Sequence, residues 1–178
     1  MDTQEVLLLV TLIVTSIIGI LGFTLTIIQI HLSNKVKNAE FISKILENLR
    51  FNERSLDVIY LIDYNQKWYD EKFHGSGELE KDIDAFFSQI DYICYLKSKK
   101  LLSDDNFQIF KYEVLRVCNN YQCKCYLWNL YHWSKLNSSK CSFDYLIRFL
   151  KTRFSEDDLN RFENSNSQIS GYDKYLNF

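Results

Sequence analysis

The pattern of hydrophobic and polar positions divides the chain into one long apolar run and a series of amphipathic segments. Residues 6–30 (VLLLVTLIVTSIIGILGFTLTIIQI) are twenty-five positions without a charged side chain. At about 1.5 Å per residue, a helix of this length reaches ~37 Å and exceeds the ~30 Å hydrocarbon core of a bilayer. Because lipid cannot satisfy backbone polar groups, such a run must be helical. We therefore predict a transmembrane anchor over residues 1–34.

Small side chains recur along one face of this predicted helix, at spacings of four, four, three and four residues. Such faces let transmembrane helices approach closely and associate. The alternative is chance, because glycine and threonine are common in membrane helices. We expect a homo-oligomer through the transmembrane helix, and the predicted oligomerisation stripe consists of Thr11, Thr15, Gly19, Gly22 and Thr26.

The charges that flank the apolar run predict its orientation. Asp2 and Glu5 precede it, and the first basic residues, Lys35 and Lys37, follow it. The positive-inside rule then places the N-terminus outside and the C-terminal part in the cytoplasm. A cleaved signal peptide would need a basic start and a shorter apolar core, so the anchor is expected to remain.

Beyond the anchor, apolar residues recur at spacings of three and four, which predicts helices. A buried strand over residues 58–62 is the alternative to the second helix, because periodicity does not separate short apolar runs. Proline is absent from the chain, which favours helices that end at polar caps. The predicted helices cover residues 34–50, 55–68, 78–100, 104–119, 121–136, 143–154 and 156–163.

Capping residues support several of these boundaries. Ser103, Ser142 and Ser155 each precede an apolar-periodic segment and are predicted N-caps, and Asn119–Asn120 is the predicted break between two helices. The predicted fold class is all-α: an N-terminal transmembrane helix followed by a cytosolic antiparallel helical bundle. Its divisions are the anchor (1–34), a juxtamembrane helix (35–54), the helical cytosolic domain (55–163), and a linker with an aromatic C-terminal tail (164–178).

Composition excludes several classes of function. All 21 basic residues follow position 34, and 23 acidic residues less Asp2 and Glu5 leave 21, so the part after the anchor has a formal net charge of zero. The aromatic residues Tyr126, Trp128 and Tyr131 could stack bases, but without a basic stripe nucleic-acid binding is disfavoured. Glycine is too scarce for phosphate-binding loops. The five cysteines form no CxxC pair, so we expect no metal site, and no cofactor is predicted.

Three titratable residues are the candidates for chemistry. Asp63 and Asp91 fall on apolar faces of predicted helices, where an unpaired carboxylate would have a raised pKa and could act as an acid, a base or a ligand. His132 follows in an aromatic helix. The alternative is structural: a buried ion pair or hydrogen bond, with Arg116 or His132 as the partner. The stretch 74–77 (HGSG) is predicted to be a turn.

Residues 63–73, 86–117, 126–133 and 175–178 carry a pattern of aromatic and apolar positions. In this pattern the chain resembles a family of bacterial proteins that have a single N-terminal membrane helix and a helical cytosolic domain of unknown function. The resemblance implies this architecture and the bacterial inner membrane, and some members are loosely linked with phage-defence loci. It carries no site residues. The stretches are residues 63–73 (DYNQKWYDEKF), 86–117 (FFSQIDYICYLKSKKLLSDDNFQIFKYEVLRV), 126–133 (YLWNLYHW) and 175–178 (YLNF).

Together these features favour a non-enzymatic function. We expect a single-pass inner-membrane protein whose cytosolic domain is a protein-interaction or sensing module in phage defence or stress response. The alternative is a small membrane-tethered hydrolase that uses Asp63, Asp91 and His132, which requires these groups to converge on a cleft. The aromatic tip of the tail is expected to dock on its own domain or on a partner.

Overall fold

The computed structural model describes residues 2–75 and 77–176. Ser76 of the predicted turn, and Asn177 and Phe178 of the tail, lie outside the described residues. Within these ranges the chain forms helices α1 to α8 and no strand. It divides into two compact units, residues 1–44 and 45–178. The predicted all-α fold with one long apolar N-terminal helix and a helical bundle is confirmed.

Helix α1 (Thr3–Arg50) makes up most of the first unit and is long and apolar enough to cross a membrane. The hydroxyls of Thr11, Thr15 and Thr26 donate to carbonyls four residues earlier, at 2.8 Å each, so the backbone of the same helix satisfies them. A Cβ added at Gly19 or Gly22 would meet no atom within 4 Å. The stripe is therefore a narrow, exposed face without free hydroxyl donors.

Helix α2 (Glu53–Asp63) begins at Asn52, whose side chain accepts from the backbone N–H of Arg54. Residues 58–62 are helical, so the strand alternative is wrong. The predicted end at Trp68 is also wrong, because α2 stops at Asp63 and Asn65 adopts a positive φ of 48°. This reversal starts a loop that returns Trp68 to the interior.

Helix α3 (Glu78–Ser98) is the central helix of the second unit and packs against α2, α4 and α6. Acidic residues lie in its first turn and Lys97 in its last, which complements the helix dipole. Apolar spacing predicts a stripe on this helix from Leu79 to Cys94, but Leu79 is exposed. The buried stripe consists of Ile83, Phe86, Phe87, Ile90, Ile93, Cys94 and Leu96.

Asn120 separates α4 (Asp104–Asn119) from α5 (Tyr121–Leu136), as predicted. Its Oδ1 accepts from the Cys123 N–H at 3.0 Å, and its Nδ2 donates to the Ile62 carbonyl at 3.0 Å. The predicted cap Ser103 is also confirmed, since its hydroxyl accepts from the Asn106 N–H. One buried amide thus caps α5 and ties it to the end of α2.

Three short helices complete the chain: α6 (Asp144–Lys151), α7 (Glu156–Glu163) and α8 (Ser167–Ser170). Ser155 caps α7 as predicted, accepting from the Asp158 N–H at 3.1 Å. The predicted cap Ser142 is wrong: the N-cap position is Phe143, in the left-handed region at φ 57°, with no side-chain cap. Helix α6 also ends three residues before the predicted Phe154.

The loop between α2 and α3 carries an aromatic cluster into the core. Ring centroids of Trp68 and Phe73 lie 5.3 Å apart, those of Tyr69 and Tyr126 are also 5.3 Å apart, and Phe87 of α3 lies 5.4 Å from Tyr126. Edge-to-face aromatic pairs stabilise beyond the area they bury. The loop is therefore packed although it has no regular structure.

Candidate functional site

Asp63 lies at the end of α2, beside an open cleft between α2 and α4. Its Oδ1 is 2.8 Å from Nε of Arg116, and its side chain is 37% exposed, so it does not sit on a buried apolar face as predicted. The pairing with Arg116 agrees with the structural alternative. The cleft has a volume of about 460 Å³ and is lined by Ile62, Asp63, Asn65, Tyr112, Leu115, Arg116, Asn119 and Asn120.

Behind this cleft, Arg116 belongs to a chain of ion pairs. Its Nη1 is 2.8 Å from Oε2 of the buried Glu113, and Oε1 of Glu113 is 3.0 Å from Nε of Arg50 at the end of α1. Breaking a buried pair leaves an uncompensated charge, which is costly. The chain of ion pairs therefore fixes the end of α1, the end of α2 and the middle of α4 relative to one another.

Tyr112 of α4 lines this cleft, and two further exposed tyrosines lie nearby in the sequence of α2: Tyr60 within the helix and Tyr64 directly after its end. We call Tyr60, Tyr64 and Tyr112 together with Arg116 the tyrosine surface. The three tyrosines are 53%, 70% and 64% exposed. Tyr60 and Tyr64 stack at 6.1 Å, and the Arg116 guanidinium lies 4.7 Å from the Tyr112 ring centroid. Tyrosine and arginine are the residue types enriched at the energetic centres of protein interfaces.

Asp91 lies on α3 and forms a hydrogen bond with the start of α6. Its Oδ1 accepts from the Leu146 N–H at 2.8 Å and so caps α6 from outside that helix. Burial raises the pKa of Asp91, against the lowering effect of hydrogen bonds from the Leu146 and Tyr145 backbone. The neighbouring cavity of about 280 Å³ also involves Lys140 and Cys141, and neither Asp63 nor His132 lines it.

His132 is buried on α5 between aromatic rings. Its Nε2 contacts the Phe162 carbonyl at 2.8 Å, and Trp128 lies 4.9 Å from it by ring centroids. Burial lowers the pKa of His132, which favours the neutral ring as a hydrogen-bond donor to that carbonyl. The histidine therefore joins α5 to α7.

The structure does not bring the three catalytic candidates together. Asp63 pairs with Arg116, Asp91 caps α6 and His132 bonds to α7. Catalysis needs such groups within hydrogen-bond reach of one reacting atom. No geometric observation over the described ranges favours the hydrolase hypothesis. Within those ranges, no group of three or more His, Cys, Asp or Glu could hold a metal ion.

Two polar groupings were missed from the sequence. The Tyr69 hydroxyl lies 3.0 Å from Nε2 of His74, whose Nδ1 lies 3.2 Å from Glu80, and the Tyr126 hydroxyl donates to Asp84. Burial raises the pKa of Asp84, against the lowering effect of that Tyr126 hydrogen bond. These groups tie the loop before α3 to α3 and α5. Their sequence signal was a histidine beside the acidic start of a helix.

The second missed grouping holds the C-terminal tail. Asn129 of α5 is fully buried and forms hydrogen bonds with the backbone of Asp173, Tyr175 and Leu176. The described part of the tail therefore docks on its own domain. Asparagine in the middle of an aromatic helix was the available signal, because a buried amide needs polar partners.

The cysteines add no reactive centre that the described geometry supports. All five are free, and Cys94, Cys118, Cys123 and Cys125 are buried. Burial raises the pKa of Cys118 to about 12, so this thiol stays protonated at neutral pH. Comparisons with protein-family models, with curated proteins and with solved structures found no match.

Proposed function

We propose that this chain is a single-pass membrane protein whose helical domain serves as a protein-interaction module on the cytoplasmic side. The observation that carries the proposal is the tyrosine surface: three exposed tyrosines, of which Tyr112 lines an open cleft together with Arg116. A cleft with exposed tyrosines and asparagine amides suits a polypeptide that packs apolar side chains and forms hydrogen bonds at the rim.

The membrane half of the proposal rests on α1. Residues 6–30 are all exposed, and no acidic or basic residue interrupts them. Lys35 and Lys37 follow this run, which supports a cytoplasmic position for the helical domain. The resemblance to a bacterial family supports the inner membrane as the proposed location and phage defence as a proposed setting of the interaction; stress response is the other setting that we propose.

Membrane fractionation of cells expressing the full chain tests the first half. We expect the protein to stay in the membrane pellet after alkaline carbonate extraction. In a Cys141→Ser background, which removes the one native cysteine that is not buried, a membrane-impermeant thiol reagent should label a cysteine introduced at exposed Tyr64 only after the inner membrane is opened. A cysteine introduced at Asp2 should react from outside. Recovery in the soluble fraction would contradict the anchor, and the reverse labelling would contradict the orientation.

Site-specific photo-crosslinking tests the second half. A photoreactive phenylalanine at Tyr64 or Tyr112 should give crosslinked species in cells, in separate samples with and without phage infection. The matched control is Tyr92, a tyrosine of α3 that is 47% exposed and lies outside the tyrosine surface. Equal crosslinking at all three positions, or none at Tyr64 and Tyr112, would overturn the proposed interaction surface.

A further inference from the structure

The groove that holds the tail has the construction of a peptide-binding site. The Asn129 Nδ2 donates to the Asp173 carbonyl at 2.7 Å, and its Oδ1 accepts from the N–H groups of Tyr175 and Leu176 at 2.9 and 3.1 Å. One fully buried amide thus binds both a carbonyl and N–H groups of an extended segment. Such bonds hold a backbone irrespective of its side chains.

Aromatic contacts give the groove its preference for particular side chains. Tyr172 packs against Trp128 at 6.0 Å and Phe162 at 5.7 Å, and Tyr175 meets the ring of Tyr69 edge-on at 5.0 Å. The spacing is aromatic, two exposed residues, aromatic. We use the name tail groove for the site formed by Tyr69, Tyr121, Cys125, Trp128, Asn129 and Phe162.

Cys125 lies at the floor of the tail groove. The Asn129 Nδ2 donates to the carbonyls of both Cys125, at 2.8 Å, and Asp173, at 2.7 Å, and the Tyr121 hydroxyl donates to the Gly171 carbonyl at 3.0 Å. Cys125 is buried, although the residues above it, Gly171 and Asp173, are exposed. Position 173 and Cys125 are therefore neighbours when a tail is docked.

The segment that joins the tail to α7 is short and polar. Residues 164–171 (NSNSQISG) contain the four-residue helix α8 and end at Gly171, whose φ of 74° favours glycine. The docked tail contacts Tyr69 in the loop before α3 and Trp128 of α5, which are distant in the sequence, and also Phe162 of the adjoining helix α7. Short hinges before a docked terminal segment are where identical chains exchange that segment, because the same contacts form in either arrangement.

We propose that the tail groove accepts the tail of a second copy, so that two chains exchange their C-terminal segments. The tail groove is complementary to the backbone and the two tyrosines of this chain's own tail. A second copy carries the same tail, so it is the occupant that fits the groove. The proposal rests on the proposed function in one respect: α1 places both copies in one membrane, where the concentration of neighbouring tails is high. Exchange would link pairs of chains on the cytoplasmic side.

Disulfide trapping between two full-length copies tests the exchange in native membranes. The tail-donor copy carries Asp173→Cys and Cys125→Ser, whereas the groove-donor copy keeps Asp173 and Cys125. Both carry Cys141→Ser, because Cys141 is the one cysteine that is not buried. After oxidation with diamide, which takes up the two thiol hydrogens, we expect a disulfide between the two copies on a non-reducing gel. That bond requires the tail of one copy to lie in the groove of the other.

Two variants separate docking from random collision. Cys125→Ser in the groove-donor copy should abolish the intermolecular disulfide. Tyr172→Ala with Tyr175→Ala in the tail-donor copy should reduce it about ten-fold, because the tail loses both aromatic contacts. A disulfide that survives these tyrosine changes would overturn the proposal.

A single copy that combines Asp173→Cys with native Cys125 serves as a control, because it tests whether positions 173 and 125 can form a disulfide within one chain. If it forms its internal disulfide while the tail-donor and groove-donor copies form none between them, the tail stays on its own domain and the exchange is overturned. Carbonate extraction of the same samples reports independently whether α1 anchors the protein. Loss from the membrane fraction would therefore count against the proposed function, and a missing intermolecular disulfide in anchored protein would count against the exchange alone.

Discussion

At the residue scale, Asn129 shows how much one buried amide can organise. Its two side-chain atoms satisfy four backbone groups, including the carbonyl of Cys125 at 2.8 Å within α5. The Tyr121 hydroxyl adds a further hydrogen bond, to the Gly171 carbonyl at 3.0 Å. Through this amide, an otherwise aromatic helix binds the extended backbone of the tail.

We predict that Asn129→Ala lowers the free energy of unfolding by about 2–3 kcal/mol, because buried backbone groups of the tail lose their partner. Asn137→Ala is the matched control. Its Nδ2 donates to the Trp133 carbonyl at 2.9 Å in an exposed position, so the cost should be under about 0.5 kcal/mol. Urea denaturation of the full chain in detergent micelles measures both, and equal costs would contradict the role of Asn129.

Glu163, at the end of α7, is a charged residue that, like Asn129, has several hydrogen-bond partners. Its carboxylate accepts from the Lys151 ammonium at 2.6 Å, the Lys135 ammonium at 2.9 Å and the Tyr131 hydroxyl at 2.7 Å. Burial acts to raise the pKa of Glu163, but these hydrogen bonds outweigh it and lower the pKa to about 2. The ionised form of Glu163 is therefore more stable in the folded state than in the unfolded state.

This lowered pKa predicts a pH dependence. A group with a depressed folded-state pKa stabilises fully above its unfolded value near 4.5, and the stabilisation is lost as pH falls towards about 2. We expect the Glu163→Gln variant to unfold at a lower temperature than the native chain at pH 7. The difference in melting temperature between the two should become smaller at acid pH. Melting curves between about pH 7 and 3 check this, and a constant difference would show that the carboxylate charge is not responsible.

At the scale of elements, α6 illustrates a helix that its own flanking sequence does not start. Its N-cap residue is Phe143, whose ring packs 5.7 Å from Phe87, and the acceptor for the Leu146 N–H comes from Asp91 on α3. The helix is short, and isolated helices of such length are marginal in water. Its start therefore depends on packing against α3.

We predict that Asp91→Ala destabilises the domain by about 1–2 kcal/mol, as loss of a capping acceptor does. Asp91→Asn should cost less, because the amide oxygen can still accept from Leu146. Ser142→Ala, at the position that local sequence suggested as the cap, should change the stability by less than about 0.5 kcal/mol. Thermal unfolding of the full chain ranks the three variants, and a larger loss for Ser142→Ala would refute the assignment.

At the scale of the whole molecule, the two compact units pose separate questions. The first is a helix with a narrow stripe whose threonine hydroxyls bond within the helix, and the second is a bundle with a docked tail. Association through α1 and exchange of tails would each bring copies together, by different surfaces. Variants confined to one unit can therefore distinguish them.

For the first unit, we predict that Gly19→Leu with Gly22→Leu weakens self-association in membranes at least several-fold, because the larger side chains keep the helices apart. Ile17→Leu with Leu21→Ile, both away from the predicted stripe, is the control of unchanged volume. Energy transfer between labelled copies in vesicles measures the effect. An unchanged signal in the glycine variant would remove the stripe from consideration.

The sequence by itself determined the class of fold. The apolar run, the three- and four-residue spacings and the caps Ser103, Asn120 and Ser155 all concern groups a few positions apart, and local backbone geometry decides them. The central stripe of α3 followed for the same reason. Even the pairing of Asp63 with Arg116 lay among the sequence alternatives.

Tertiary structure alone decided what the polar side chains do. Asp91 meets Leu146, Asn129 meets the tail, and His132 meets Phe162 across separations of 55, 44 to 47 and 30 residues. Periodicity places a side chain on a face, but the partner of a buried polar atom depends on which distant element arrives there. For that reason most helices were predictable from sequence, whereas the end of α2 and both ends of α6 were not. The dispersal of the catalytic candidates and the tail groove were likewise not predictable.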